Sequence, residues 1–539
     1  MPHDSELDRR TLLQYAGSAT AAAATVSLAG CIGSEDDDDG DDDDDDTNGE
    51  DEEEFFVTVA QGEFPDTLDP VGDNATPTYN VIDQGYEPFL YRDSGRDDLD
   101  EMGRPIARVV EDWERTDDRT LELTIRDGVT FHSGNECTAE DVAYSINRAN
   151  GNFDVTSEVA AVIGDIDEAE AVDDSTVEVH LNAAVPAILQ NLGAFGRVME
   201  QEWTEDDDND PTSEINGTGP FEMVELEEGS YVDYEAFDDY WGDEPAVDGG
   251  RLTVRGEEGP RVDSLEAGEV DVITGVSPDR VPDVELNDDL RVESLPSIRT
   301  IFLVMNDAYE PFDNADFRRA MNYAVDVDAI ISSILEDLAE PTSQPTLEGH
   351  FGHDPDVDPY PHDPDQAEQL IDDSGYAGES ITLVTPQGRY LADVDVAEAA
   401  AGQIDELDNV SCEHEIREFN DLVGQIFAED QEAAPPFFLI GWGVPTLDAD
   451  YAMRDWFIDG APSQMFNDDQ IQEYLNDADD TVDDAERESL LQQANARAND
   501  QASWVFMHQQ FSVYGVSEEV AWDPRQDEDI LLEEMGPAE

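Results

Sequence analysis

The chain reads as an α/β protein with mixed sheets, built from more than one folded domain. Three observations point there. Segments of period two and period 3.6 alternate along the sequence, 39% of its 539 residues are hydrophobic, and a chain of this length buries several cores rather than one. Leu121, Leu123 and Ile125 alternate with polar residues, Asp127-Gly128 turns, and Val129 and Phe131 resume, which predicts a β-hairpin. Thr138-Ala-Glu-Asp141 then caps a helix whose Val142, Ile146 and Ala149 share one face. Further strands are expected at Val177/Val179/Leu181, Leu252/Val254, Val270/Val272, Ile301/Leu303 and Ile381/Leu383. Asn314 starts a long helix with Phe317, Ala320, Met321 and Ala324 on one side, and more helices read at 365–373, 393–405, 420–430, 468–477 and 483–499. No repeat period stands out.

Charge narrows the function. The sequence holds 25 basic residues, all of them arginine, against 136 acidic ones, for a net charge of −111. So few cations exclude a general nucleic-acid binder and argue against docking on anionic lipid through a basic patch. Sixteen acids lie in 35–54 and three in the first 34 residues, leaving 117 acids and 23 arginines in 55–539, a net −94. At low ionic strength such a surface repels itself, and at molar salt a Debye length of about 3 Å screens the repulsion. The composition is that of a protein adapted to concentrated salt.

The first 54 residues read as an address and a tether. Arg9 and Arg10 precede a weakly apolar stretch, Tyr15 to Gly30, whose roughly 15 residues, mostly Ala and Thr, fall short of the roughly 20 a membrane span needs. An arginine pair before a mild apolar core is the pattern of a twin-arginine export signal. Leu28-Ala29-Gly30-Cys31 resembles a lipobox, so cleavage before Cys31 would leave a thiol to carry lipid. Residues 31–54 then form an acidic run with almost nothing to bury, which stays extended and solvated. The other cysteines, Cys137 and Cys412, lie far apart in sequence; a bridge is open to an exported protein, but two buried free thiols are the preferred reading.

Several blocks resemble one family. They are Phe64-Pro-Asp-Thr-Leu-Asp-Pro70, Ala107–Trp113 with Leu121–Phe131 and Thr138–Ser145, Gly217-Thr-Gly-Pro-Phe221 with Tyr240-Trp-Gly242, Phe317–Ala324, and Asp363–Leu370 before Gly375-Tyr376. In this order and spacing they resemble the extracellular solute-binding proteins of ABC importers, family 5, the peptide/nickel/opine class. The resemblance implies a two-lobed periplasmic-binding-protein type II clamp with an extra inserted α/β domain. It places lobe I at 55–90, 198–298 and 496–539, domain II at 91–197 and lobe III at 299–495. A small solute, a di- or oligopeptide by this reading, would sit between lobes I and III and pass to the permease and ATPase subunits of the importer. No cofactor is implied. Other solutes remain open: a nickel chelate, a glutathione- or haem-like ligand, an oligosaccharide. A secreted hydrolase would need a nucleophile elbow or a metal motif, and neither is present.

Within that frame the candidate site centres on Gly441-Trp-Gly-Val-Pro-Thr-Leu-Asp-Ala-Asp-Tyr451, which follows the apolar strand Phe437–Ile440. Peptide-binding members carry an aspartate for the ligand's amine soon after this Gly-Trp, where here Pro445 or a neighbour stands. Asp448 and Asp450 are the acids nearest to take over, with Trp442 as an apolar wall. Arg389, in Pro386-Gln-Gly-Arg-Tyr390, lies between a strand and a helix, and its planar fork suits a carboxylate. Family members use an arginine in this region for that role. Arg299, Tyr86 and Tyr451 are further candidates for ligand contact. His350, His353 and His362 lie near Asp354, Asp356, Asp358 and Asp363, but in a Pro-rich loop without metal-ligand spacing, so no metal site is expected.

If Cys31 carries lipid, Cys31→Ser releases the protein into the medium with its fold intact, and Arg9→Lys with Arg10→Lys blocks export. Fractionation of cells and medium checks this, and a Cys31→Ser variant still in the membrane fraction contradicts it.

Overall fold

The computed structural model describes residues 54–94, 102–153, 155–428, 433–461 and 463–538. The readings on Arg9, Arg10, Cys31 and most of the acidic tether lie outside the described residues. Residues 54–539 form one compact unit. No helix among the described residues is long and apolar enough to cross a membrane.

An eleven-stranded mixed sheet runs through this unit. At one end Phe56–Gln61 pairs in parallel with Gly249–Val254 and with Val272–Thr274, and Tyr231–Ala236 and Phe221–Glu227 extend the edge antiparallel. At the other end Glu379–Thr385 lies parallel to Val410–Ile416 and Phe437–Gly443. Two long antiparallel strands, Leu290–Met305 and Trp504–Ser517, join the halves. Leu290–Pro296 pairs with Phe511–Ser517 beside the first half, and Thr300–Val304 pairs with Trp504–Gln509 beside the second. Their register shifts between Pro296 and Thr300, where proline cannot donate to the ladder. Gln509 Nε2 donates to the Ser297 carbonyl there at 2.6 Å. The strand Trp504–Ser517 is therefore shared, whereas the sequence reading assigned it wholly to the first lobe.

A separate four-stranded antiparallel sheet, ordered Val110–Asp117, Thr120–Ile125, Thr176–Leu181, Ile166–Ala171, lies within the 91–197 segment. It corrects the expected hairpin. Thr120–Ile125 pairs with Val110–Asp117 on one side and Thr176–Leu181 on the other. Val129 and Phe131 are fully buried but lie in a loop tied back on itself by Phe131 N–H to Asn135 O and Cys137 N–H to Val129 O. Their alternation reflects burial in a turn.

The helix starts behave as capping chemistry dictates. Thr138 and Asp141 close a full capping box on Ala139–Ala149, Asn314 caps Ala315–Ala324, and Asp363 caps Pro364–Ser374. The block Gly217-Thr-Gly-Pro-Phe221 is explained by backbone contact: a Cβ on Gly217 would lie 2.0 Å from the Gly85 carbonyl oxygen. Cys137 and Cys412 are buried free thiols. Burial pushes the Cys412 thiol up to about 12.

Arginine is consumed inside the fold. Arg148 grips Asp69 with two 2.6 Å hydrogen bonds, and Arg197 grips Asp83 at 2.5 and 2.7 Å. Both pairs are buried, where each charge is held by its partner and neither can be lost singly without large cost. Histidines are buried differently. His350 and His508 have neither ring nitrogen bonded among the described residues, and burial pushes both down to about 3. An unfolded histidine binds its proton near 6.5, so below that pH the unfolded state holds more protons and stability falls. Each histidine contributes about 1.4 kcal/mol per pH unit below its unfolded pKa, down to its folded one. His508→Leu is expected to reduce the loss of unfolding free energy between about pH 6 and 4, measured by denaturant titration at fixed high salt. A variant with the wild-type pH slope contradicts it.

Candidate functional site

A cavity of about 630 Å³ opens where the carboxyl ends of parallel strands from both halves meet. Crevices at the carboxyl ends of parallel strands are the usual ligand sites of α/β sheets, and the volume lies in the range of small-molecule pockets. The first half contributes Gln61–Glu63, the helix start at Thr76, the loop Gly256–Glu258 and the Thr274–Gly275 strand end. The second contributes Arg299 and the loop Gln387–Asp395, and the floor comes from Gln510–Tyr514 and Glu528. Arg299 and Arg389, both singled out from sequence, meet here.

The loop carrying Arg389 is held by one carboxylate. Buried Asp393 accepts from the backbone N–H groups of Gly388, Arg389, Tyr390 and Val394 at 2.8–3.2 Å. Gly388 at φ 75° makes the turn that lets them converge. The Arg389 guanidinium lies over the Phe419 ring at 5.0 Å, and its Nη1 stands 3.8 Å from Glu63 Oε2, across the cavity mouth. Its buried Nε has no hydrogen-bond partner among the described residues. Compared with Arg148 or Arg197, this is an underused cation.

The Gly-Trp-Gly run works through its glycines. Gly443 pairs with Arg299 and Gly441 with Ile301 in the sheet. A Cβ on Gly441 would sit 2.6 Å from Tyr390 Cε1, and one on Gly443 would press on the Arg299 guanidinium at 3.1–3.4 Å. The Tyr390 hydroxyl donates to Gly441 O at 3.2 Å. The two glycines thus clear the face on which Tyr390 and Arg299 stand. Arg299 donates from Nη2 to Glu528 Oε2 at 3.0 Å. Burial acts to lower the Arg299 pKa, but the Glu528 carboxylate, together with Tyr390 and Tyr451, more than offsets it and holds the guanidinium above its ordinary value. Glu528 itself has φ 68°, a left-handed backbone costing about 1–2 kcal/mol for a non-glycine residue.

The structure places the other candidates away from this cavity. Trp442 alternates to the opposite face of its strand and does not line this cavity; it stacks on Tyr451 at 6.0 Å and meets Trp456 edge-on at 5.5 Å. Tyr451 in turn meets Phe195 at 5.7 Å. Asp448 caps the helix Ala449–Phe457 and is held bidentately by Arg487 at 2.7 and 2.8 Å, with 1% of its surface exposed. Asp450 is taken by Arg454 at 2.7 Å. Tyr86 is buried in the first core, its hydroxyl unbonded among the described residues. Neither aspartate reaches the cavity. Among the acids that do, Glu528 was not singled out, because nothing local separates it from the other acids of the chain. Among the described residues no group of three His, Cys, Asp or Glu side chains is placed to hold a metal ion.

The family model described as bacterial extracellular solute-binding proteins, family 5 Middle, matches residues 104–464, more than half of the chain. The chain belongs to this family. Among relatives of this family-5 protein, the glutathione-binding protein GsiB of Pectobacterium atrosepticum is 26% identical over 467 residues, covering 83% of this chain and 87% of its own. The dipeptide-binding protein of Escherichia coli is 25% identical over 437 residues, covering 74% and 79%. Among solved structures, the Helicobacter pylori periplasmic binding protein DppA in complex with the peptide STSA has a TM-score of 0.75 at 20% identity, covering 90% of this chain and 99% of its own. The fold is the type II periplasmic-binding-protein clamp.

The buried Asp448–Arg487 pair yields a direct test. Asp448→Asn strands the guanidinium without a counterion and is expected to cost about 3–5 kcal/mol of stability, while ligand affinity of the folded fraction stays at wild type. Thermal melts and calorimetric titration of the same preparation check both. Lost binding with an unchanged melt would return Asp448 to the ligand site.

Proposed function

We propose that this family-5 protein captures a peptide-like solute outside the cell and delivers it to the permease and ATPase subunits of an ABC importer. The observation that carries the reading is the underused Arg389 in the cavity between the two halves. In a chain with 136 acids and 25 arginines, a cation left short of partners at a ligand-sized cavity is suited to bring in a carboxylate from outside. Glutathione and dipeptides, which the two relatives named above bind, are both peptides ending in a carboxylate.

Closure follows from the sheet. The halves join through the two long strands, so a twist at the Pro296–Thr300 register shift brings Arg389 and the Gly256–Glu258 loop together over the solute. The solute favours the closed form by the contacts it makes only there. Export through Arg9 and Arg10, anchoring by lipid on Cys31 at the outer face of the membrane, and life in concentrated salt complete the proposal. A −94 body on an acidic tether fits that setting.

Arg389→Ala is expected to weaken peptide binding about 30- to 5,000-fold, the range for truncating one partner of a desolvated charge pair. The melt of the empty protein changes little, because the Arg389 contact with Glu63 is long, at 3.8 Å, and the Glu63 side chain is exposed. Calorimetry in molar KCl measures the affinity, and mass spectrometry of ligand carried through purification names the solute. Wild-type affinity in Arg389→Ala, or a carried solute without a carboxylate, would overturn the peptide reading.

A further inference from the structure

The segment from Arg525 to Glu534 is strapped along the first half of the molecule by bonds on either side of one residue. Arg525 holds Asp527 through two hydrogen bonds of 2.9 and 2.6 Å and Glu534 at 2.9 Å. Asp529 pairs with Arg92 at 3.2 Å, the Ile530 N–H donates to Asn80 Oδ1 at 3.0 Å, and the Leu532 N–H donates to Gln84 Oε1 at 2.9 Å. Between Asp527 and Asp529 the backbone turns left-handed, and Glu528 points the other way, into the cavity. Its side chain is 12% exposed. The strap therefore fixes an acid at the cavity floor in a conformation that its own backbone disfavours.

The bond it makes there is incomplete. Arg148–Asp69 and Arg487–Asp448 are two-bond pairs, whereas Arg299 reaches Glu528 through one contact, Nη2 to Oε2. The second carboxylate oxygen is left for another donor. The other acids lining the cavity differ in kind: Asp393 is taken by four backbone N–H groups, Glu258 accepts from Ser277 N at 2.6 Å, and Glu63, Glu257, Asp279 and Asp395 are exposed, whereas Glu528 is held nearly buried. Among the cations, Arg261 donates to the carbonyls of Thr274, Arg255 and Gly256.

We propose that Glu528 is the acid that receives the ammonium group of the solute, with Arg299 retained behind it as the residue that positions and neutralises it in the empty protein. The assignment rests on the peptide reading and deepens it. Arg389 and Glu528 then bind opposite ends of a zwitterion, one from the second half and one from the strap on the first. Both ends must be gripped for the halves to shut, so the charge pattern selects solutes with a free amine as well as a carboxylate. Neither aspartate after the Gly-Trp run is needed, since both are occupied by arginines.

A synthetic tripeptide pool and the same pool N-acetylated, titrated calorimetrically in about molar KCl against the full chain, test this. The wild type is expected to prefer the free-amine pool by about 30-fold or more. Glu528→Gln should reduce that preference below about threefold while its affinity for the acetylated pool stays within about threefold of wild type. Glu528→Asp keeps the charge but shortens the reach, and should retain part of the preference; it carries the test if the Gln variant fails to fold. Equal loss for both pools, or a preference that survives in the Gln variant, overturns the assignment and leaves peptide binding standing. A wild type that binds neither pool sinks the peptide reading and this assignment with it.

Discussion

Everything in the molecule hangs on the pairing of Leu290–Met305 with Trp504–Ser517. These strands are long enough to belong to two cores at once: Ile301, Leu303, Val505 and Met507 pack into one, and Tyr514 and Val516 into another. Hydrogen bonds along the ladder tie the halves together, and the shift at Pro296–Thr300 interrupts that ladder. Arg299 stands at that shift, which is why a cavity-lining cation, a strand crossing and the Gly443 clearance all fall within a few residues of each other. The position of the cavity follows from this joint.

The second organising constraint is scarcity of positive charge. With no lysine, an interior acid that takes a cation as partner must draw on one of few arginines, and the planar fork suits the task because it takes a carboxylate through two bonds. Asp69, Asp83 and Asp448 are each served this way. Their value is in keeping charges from being stranded; a buried pair of this kind adds little net stability over an apolar replacement. Against such a pattern, arginines held by a single long contact, or by one bond, are conspicuous. Function here is read from incomplete pairing.

Much of this was legible in the residues. Helix starts at Thr138, Asn314 and Asp363 were legible because capping is local chemistry, written within four residues. The strand Trp504–Ser517 was not, since it is buried on both faces along much of its length and so carries no period-two alternation. Val129 and Phe131 misled for the opposite reason, a short alternation without a partner strand. At the site, Arg299 and Arg389 stood out through rarity, and Asp448 misled because its partner Arg487 lies 39 residues away in a different helix. Glu528 was invisible. Its distinction is a backbone turn imposed by bonds to Asn80, Gln84 and Arg92, more than 400 residues upstream.

The shared strand also bears on how the protein can be divided. A clamp whose lobes met only through loops would come apart into two modules, each foldable alone and each open to replacement by recombination. Here a cut between the halves bisects Leu290–Met305 and Trp504–Ser517, leaving two pairs of raw strand ends and stripping each core of one wall. The halves are consequently one indivisible unit, and the cavity segments 387–395 and 525–534 lie outside the paired stretches of the ladder, so their sequence can change without cutting it.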